Sequence, residues 1–194
     1  MPASKIFLGN QEFASESANV VSINNATLSS NVNFPAGHII QVQSGHLKDN
    51  FTTTTAGVWI NTGLDVTITP SSTSNKIYIQ ATVAGVGNSA SGYNTRVSIL
   101  QPFADSDSNV ILSTSASPST DYYDYNAQGP VPGGNGVFRT FTWGGFHSPS
   151  STSALTYVVG IKGEATGTSR THYFNQGHSS FACYCSITAW EVTG

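Results

Sequence analysis

The densest group of potential metal ligands is His172, His178, Cys183 and Cys185. Structural zinc sites use imidazole and thiolate ligands, with two to four residues between paired cysteines. A C-x-C pair on a strand puts both thiols on one face, too far apart for an easy disulfide and awkward for shared tetrahedral ligation. Two small buried thiols in a core strand are the expectation instead. Asp105-Ser-Asp107-Ser-Asn109 offers oxygens for Ca²⁺, but an EF-hand loop continues with Gly and ends in Glu. Val110 and Ala116 stand at those positions, so a polar turn is expected. Asp121, Tyr122, Tyr123, Asp124 and Tyr125 join carboxylates to aromatic rings, the mixture that contacts sugars, and form a candidate glycan-contact loop. The alternative is a solvated loop whose tyrosines pack on the sheet or on a neighbouring subunit. A glycosidase would need two carboxylates facing across a cleft. No G-x-S-x-G elbow is present. Gly85-Val86-Gly87 lacks the strand-to-helix setting of a phosphate loop. The expectation is a protein that is not an enzyme, with no catalytic residue, cofactor or metal.

Any such group has to be held by strands. Val66 to Thr69 alternates and stops at Pro70, and a Ser/Thr/Asn turn follows over 71–75. Ile77, Ile79, Ala81 and Val83 then share one face. Val97 and Ile99 face away from Arg96, Ser98 and Leu100. Leu155, Tyr157, Val159 and Ile161 share a face, and Ile187, Ala189 and Glu191 oppose Ser186, Thr188, Trp190 and Val192. The period is two throughout, not 3.6. Gln11 to Ala18 offers at most one short helical turn. Phe138 to His147 is the densest aromatic stretch, with Arg139, Phe141 and Trp143 on one face. Those rings, and Trp59 and Trp190, are expected in the core.

Composition supports strands. The 194 residues include 27 Ser, 22 Thr and 15 Asn, suited to pleats and turns. Only 9% are charged, against about 25% in ordinary globular chains. Seven Lys and Arg against ten Asp and Glu leave nothing to hold nucleic acid phosphates. Hydrophobic residues at 38% are enough for a packed core and argue against disorder. No apolar run approaches the roughly 18 residues of a membrane helix, and Ile6-Phe7-Leu8 is too short for a signal-peptide core. Two cysteines exclude a disulfide scaffold. Many short strands with polar turns predict an all-β fold, an antiparallel β-sandwich of jelly-roll type. Uncharged, Thr-rich edges invite pairing, so an oligomer is expected.

Residues 1–33 differ from the rest. They carry Ile6, Phe7, Leu8, Val20 and Ile23 among polar residues, too few large apolar groups for a core of their own. They are expected to be an extended docking arm, with the sandwich domain over 34–194. Loops 102–109, 113–120 and 127–136 are rich in Gly, Pro or Ser.

From Asn33 to Lys76 the sequence acquires specific motifs. Phe34-Pro-Ala-Gly-His-Ile-Ile-Gln-Val42 is followed by Gly63-Leu-Asp-Val-Thr-Ile-Thr-Pro-Ser-Ser-Thr-Ser-Asn-Lys-Ile77, and Ser186-Ile-Thr-Ala-Trp-Glu-Val192 closes the chain. This resembles a family of virion surface proteins of tailed phages, marine and cyanobacterial ones especially. In that family an FPAGHVLQV-like strand opens a β-domain, a strand-turn-strand follows, and an S-I-T-x-x-E-V/I strand closes it. The likeness covers about 5–83 and 181–192. It departs at Ala189-Trp190, where the family often has Leu-Met.

The resemblance implies a homotrimeric, non-enzymatic structural protein of the virion, made in the host cytoplasm. A leader of about 33 residues is short for a tail fibre. It points to a capsid decoration (cement) protein or head fibre, whose arm docks on the major capsid protein or another virion protein. The alternative is a tail-fibre-type receptor-binding protein for host surface glycans, with specificity in loops 102–109, 121–136 and 144–153. A glycan-acting enzyme is a remoter third reading.

Overall fold

A computed structural model describes residues 4–8, 11–17 and 20–23 as main-chain strands, and residues 35–89, 95–113, 139–163, 171–176 and 183–194. The chain divides into two compact units, Met1–Pro35 and Ala36–Gly194.

In the first unit, β1 (Ser4–Leu8), β2 (Gln11–Ser17) and β3 (Val20–Ile23) form an antiparallel meander in that order. Two expectations change here. Gln11–Ser17 is a strand rather than a helical turn: Glu16 pairs with Ser4 on one side and Val21 on the other. The segment is also not a single extended arm, because its backbone groups pair with one another.

The second unit contains β4 (Ile39–Leu47), β5 (Phe51–Thr53), β6 (Ile60–Ile68), β7 (Lys76–Asn88), β8 (Thr95–Leu100), β9 (Val110–Ser113), β10 (Arg139–His147), β11 (Leu155–Gly163), β12 (His172–Phe174) and β13 (Cys185–Val192). The larger sheet has the order β4-β13-β7-β12-β5, with β10 on the other edge of β7. The smaller sheet is β6-β11-β8-β9. All pairings between these strands are antiparallel. Setting aside the short β5 and β12, the outermost strands pair (β4 with β13), then β6 with β11, β7 with β10 and β8 with β9. That is a long antiparallel hairpin rolled over itself, the jelly-roll pattern the sequence suggests. The motif 63–77 forms the end of β6, the turn and the start of β7.

The two sheets bury their facing rows against each other. Ile77, Ile79, Ala81 and Val83 of β7 are completely buried, as are Ile187 and Ala189 of β13. They meet Leu64, Val66 and Ile68 of β6, Val97 and Ile99 of β8, and Tyr157, Val159 and Ile161 of β11. The period-two reading of all these strands holds. Phe141 and Trp143 pack against this core from β10, as expected.

Trp59 is buried elsewhere. It lies over Gly160, where a Cβ would stand 3.1 Å from the indole and 2.6 Å from Leu100 Cδ1. Leu100 and Val158, which alternate away from the main core, are buried there too. The Trp59 main-chain N–H donates to Asp105 Oδ1 at 2.7 Å, tying this cover to the 102–109 loop. The outer side of the smaller sheet therefore has a satellite core of its own.

Replacing Ile79 by Ala removes a fully buried side chain from the centre of β7 and is expected to cost about 3 kcal/mol in urea unfolding. Gln80→Ala, on the opposite face of the same strand, is expected to cost under about 0.5 kcal/mol. Equal losses at the two positions would contradict the facing assigned to β7.

Candidate docking face

The register of four strands fixes what the larger sheet shows to solvent. Trp190 pairs with Val42 on one side and Tyr78 on the other, and Tyr78 pairs with Phe146. Side chains at paired positions point to the same face. Val42, Trp190, Tyr78 and Phe146 thus form one row across β4, β13, β7 and β10. Tyr78 stands 5.1 Å from Phe146 and 5.5 Å from Trp190 between ring centroids, with the rings tilted. Phe146 is 60% exposed and Val42 50%. Beside the row lies an open groove of about 490 Å³ between Gly37, Ile39, Tyr78, Phe146, Trp190 and Val192.

Farther along the same face the side chains are polar, with no Asp, Glu, Lys or Arg among them. The next registers hold Ser44, Thr188 and Gln80, then His46, Ser186, Thr82 and Thr142. Thr82 and Thr142 hydroxyls lie 3.0 Å apart, and Tyr184 stacks on His46 with its hydroxyl 2.7 Å from Nδ1. Trp190 was expected in the core. It lies on this outer row instead, because β13 alternates strictly and Glu191 takes the inward position.

Glu191 is fully buried, and its carboxylate clasps two segments, the β6–β7 turn and β4. Oε1 accepts from the Ser71 N–H (2.7 Å), the Ser71 hydroxyl (2.7 Å) and Asn75 Nδ2 (2.6 Å), and Oε2 accepts from Gln41 Nε2 (2.6 Å). Gln41 Nε2 also donates to the Thr69 carbonyl. Burial alone would raise the Glu191 pKa. The hydrogen bonds from Gln41, Asn75 and Ser71 outweigh it and hold the carboxyl below its ordinary value. The clasp fixes the β6–β7 turn against β13, directly behind the groove.

On the same inner row His147 Nδ1 lies 2.9 Å from the Tyr157 hydroxyl. Burial pushes the tyrosine pKa up and the imidazole pKa down. A protonated phenol and a neutral ring therefore share this hydrogen bond at pH 7.

Two of the metal and thiol candidates, His172 and Cys185, have structural partners. Thr95 Oγ1 is 2.8 Å from His172 Nδ1, and the ring fills the space over Gly163, where any side chain would collide with Nε2. Burial lowers the His172 pKa. The Cys185 thiol donates to Asn175 Oδ1 at 3.2 Å and accepts from the Ala84 N–H at 3.2 Å. Burial pushes its pKa up, the Ala84 amide opposes this, and Cys183 adds to it. Asn175, at φ +60°, also donates to the Leu47 and Asp49 carbonyls. Cys183 is half-buried just before β13. Asp105 is engaged by Trp59, and Asp107–Asn109 forms a 3-10 turn. Among the described residues no three His, Cys, Asp or Glu side chains group to hold a metal.

Other candidates are placed only in part. Ile6, Phe7 and Leu8 lie on β1, and Val20 and Ile23 on β3. His178 and the loop Asp121, Tyr122, Tyr123, Asp124 and Tyr125 lie outside the described residues. Of the proposed specificity loop 144–153, residues 144–147 are strand β10. Sequence reasoning missed Asn175, for which no local signal exists. It also missed the Glu191 clasp, although the alternation of β13 already put Glu191 beside Ile187 and Ala189. No family model matches the sequence, and no curated protein matches it.

Glu191→Gln replaces an acceptor by a donor among four donors and is expected to lose about 2–3 kcal/mol at pH 7. A depressed carboxyl pKa stabilises the fold above the unfolded value of 4.5, and the gain is lost as pH falls through the folded pKa. The lowered His147 and His172 pKa values stabilise the fold above 6.5, and that contribution declines as pH falls below it. Urea midpoints measured from pH 7 to 3 should fall in both windows, and Glu191→Gln should flatten the lower one alone. A variant with the wild-type profile below pH 4.5 would refute the clasp. Thiol titration provides a separate check. Cys183 should react in the native state and Cys185 only after unfolding, so two fast native thiols would contradict the packing around Cys185.

Proposed function

We propose that this chain is a structural protein of the surface of a tailed-phage particle, homotrimeric and anchored through its N-terminal unit, as a capsid decoration protein or head fibre. The observation that carries the reading is the contrast between the two sandwich faces. The outer side of the smaller sheet is covered in part by Trp59 and the loop that Asp105 anchors, whereas the larger sheet holds an apolar row out to solvent on a rigid scaffold. Contiguous exposed apolar surface of this kind marks a protein contact. The motifs 34–42, 63–77 and 186–192 support the virion setting through their likeness to the phage family. In the N-terminal unit, β1 and β3 are the edge strands of their sheet, and an edge can accept a strand from a neighbour without using charge. Three copies on one stem would multiply a weak contact of that kind.

Gold-labelled antibody against the intact protein, imaged on purified phage particles, should decorate the capsid. Label confined to the tail would favour receptor binding, and particles free of label would end the virion reading. Deleting residues 1–33 is expected to abolish rebinding of the protein to particles that lack it; undiminished occupancy would refute anchoring by this unit.

A further inference from the structure

We infer that the aromatic row and its groove are where copies of this chain meet, with Phe146 of one copy seated in the Ile39–Trp190 groove of the next. The inference rests on the oligomeric part of the proposed function and assigns a surface to it.

Shape is the first argument. Phe146 projects from one wall of an apolar hollow of about 490 Å³, so knob and hollow share one face. A knob beside such a hollow suits contact between identical molecules.

Charge is the second. The outward registers of β4, β13, β7 and β10 from Val42 to Thr142 carry no Asp, Glu, Lys or Arg. Like faces can therefore approach without repulsion, which a charged face forbids. Lys76 is paired with Val192, which lines the groove, so this cation stands at the groove end of the face.

The distribution of exposed apolar groups is the third. Among the described residues the large exposed hydrophobic side chains are Ile39, Ile40, Val42, Phe146 and Tyr184. Three lie on β4, one on β10, and Tyr184 stacks on His46 of β4. No second exposed apolar patch is offered among them, so self-association that removes these groups from water brings this face to its own copies. β4 itself, Ile-Ile-Gln-Val-Gln-Ser-Gly-His-Leu, is an edge strand of nine residues without Lys, Pro or an acidic residue, the usual guards against edge contact.

Sedimentation velocity of the purified full chain, without particles, tests the inference. The wild type should sediment as a closed oligomer. Phe146→Glu and Val42→Glu should each raise the dissociation constant by about 100-fold or more, since a charge buried in an apolar contact has no partner. Thr156→Glu, exposed on the outer side of the smaller sheet, should leave the oligomer intact. Circular dichroism and melting temperature should match the wild type in all three. Val42→Glu, at an exposed edge, keeps the test valid if Phe146→Glu misfolds. A monomeric wild type, including one that binds a neutral glycan or a virion protein through this face, would overturn the inference. So would an oligomer indifferent to both charged variants. Oligomerisation by this face together with unlabelled particles would instead overturn the virion reading and leave this one standing.

Discussion

A slip of one residue in the pairing of β13 with β7 would carry Trp190 into the core and Glu191 out into water. Side chains in a strand alternate, so register decides facing for the whole row at once. The pairs Trp190–Tyr78 and Glu191–Ile77 set that register, and β10 and β4 follow it on either side. The aromatic row, the groove, the buried carboxylate and the hydrophobic inner rows are all consequences of this one alignment. The clasp on Glu191 resists a slip, because a displaced carboxylate would abandon its four donors, among them the amide of the buried Asn75. Polar groups here add directional bonds to a register that apolar packing alone would hold less specifically.

The same logic recurs at the other end of the sandwich. Asn175 takes a left-handed conformation and bonds the carbonyls of Leu47 and Asp49 and the Cys185 thiol. It joins the segments around β12, β13 and β4 where the sheet turns from long strands to short ones. With few charged side chains, the chain relies on amides, hydroxyls and one buried carboxylate for its internal fastening. Several of these bonds run between side chains of different segments, as from Gln41 to Glu191 and from Cys185 to Asn175. Residues that look reactive in one dimension, His172 and Cys185, are used up in this fastening, one against Thr95 and Gly163, the other between Asn175 and Ala84.

Scarcity of charge also shapes the exterior. Water is kept from the outer side of the smaller sheet by Trp59 and the loop that holds it, so that sheet is buried on both faces along part of its length. The larger sheet has no such cover among the described residues. Its outer side passes from an apolar row to hydroxyl-bearing registers without any change of charge. A surface like this gains little from ionic partners and much from close packing.

Strand period, turn positions and the inward rows of β6, β7, β11 and β13 were legible from residue order alone, because burial of one face imposes a period of two that the side chains record. The jelly-roll class followed from the same rhythm. The position of Trp190 was legible too, since it alternates with Glu191 and shares a face with Ser186 and Thr188. The general habit of burying tryptophan hid it. The strands of the N-terminal unit escaped notice because short polar residues carry little periodic signal. What only the tertiary structure decided is which strands lie side by side. Val42, Tyr78, Phe146 and Trp190 are separated by dozens of residues, and nothing local specifies that they form one row. Nor does local sequence place Ser71, Asn75 and Gln41 around Glu191. Those neighbours exist because a rolled hairpin brings the first and last strands together, and long-range pairing is a property of the whole sheet rather than of any segment within it.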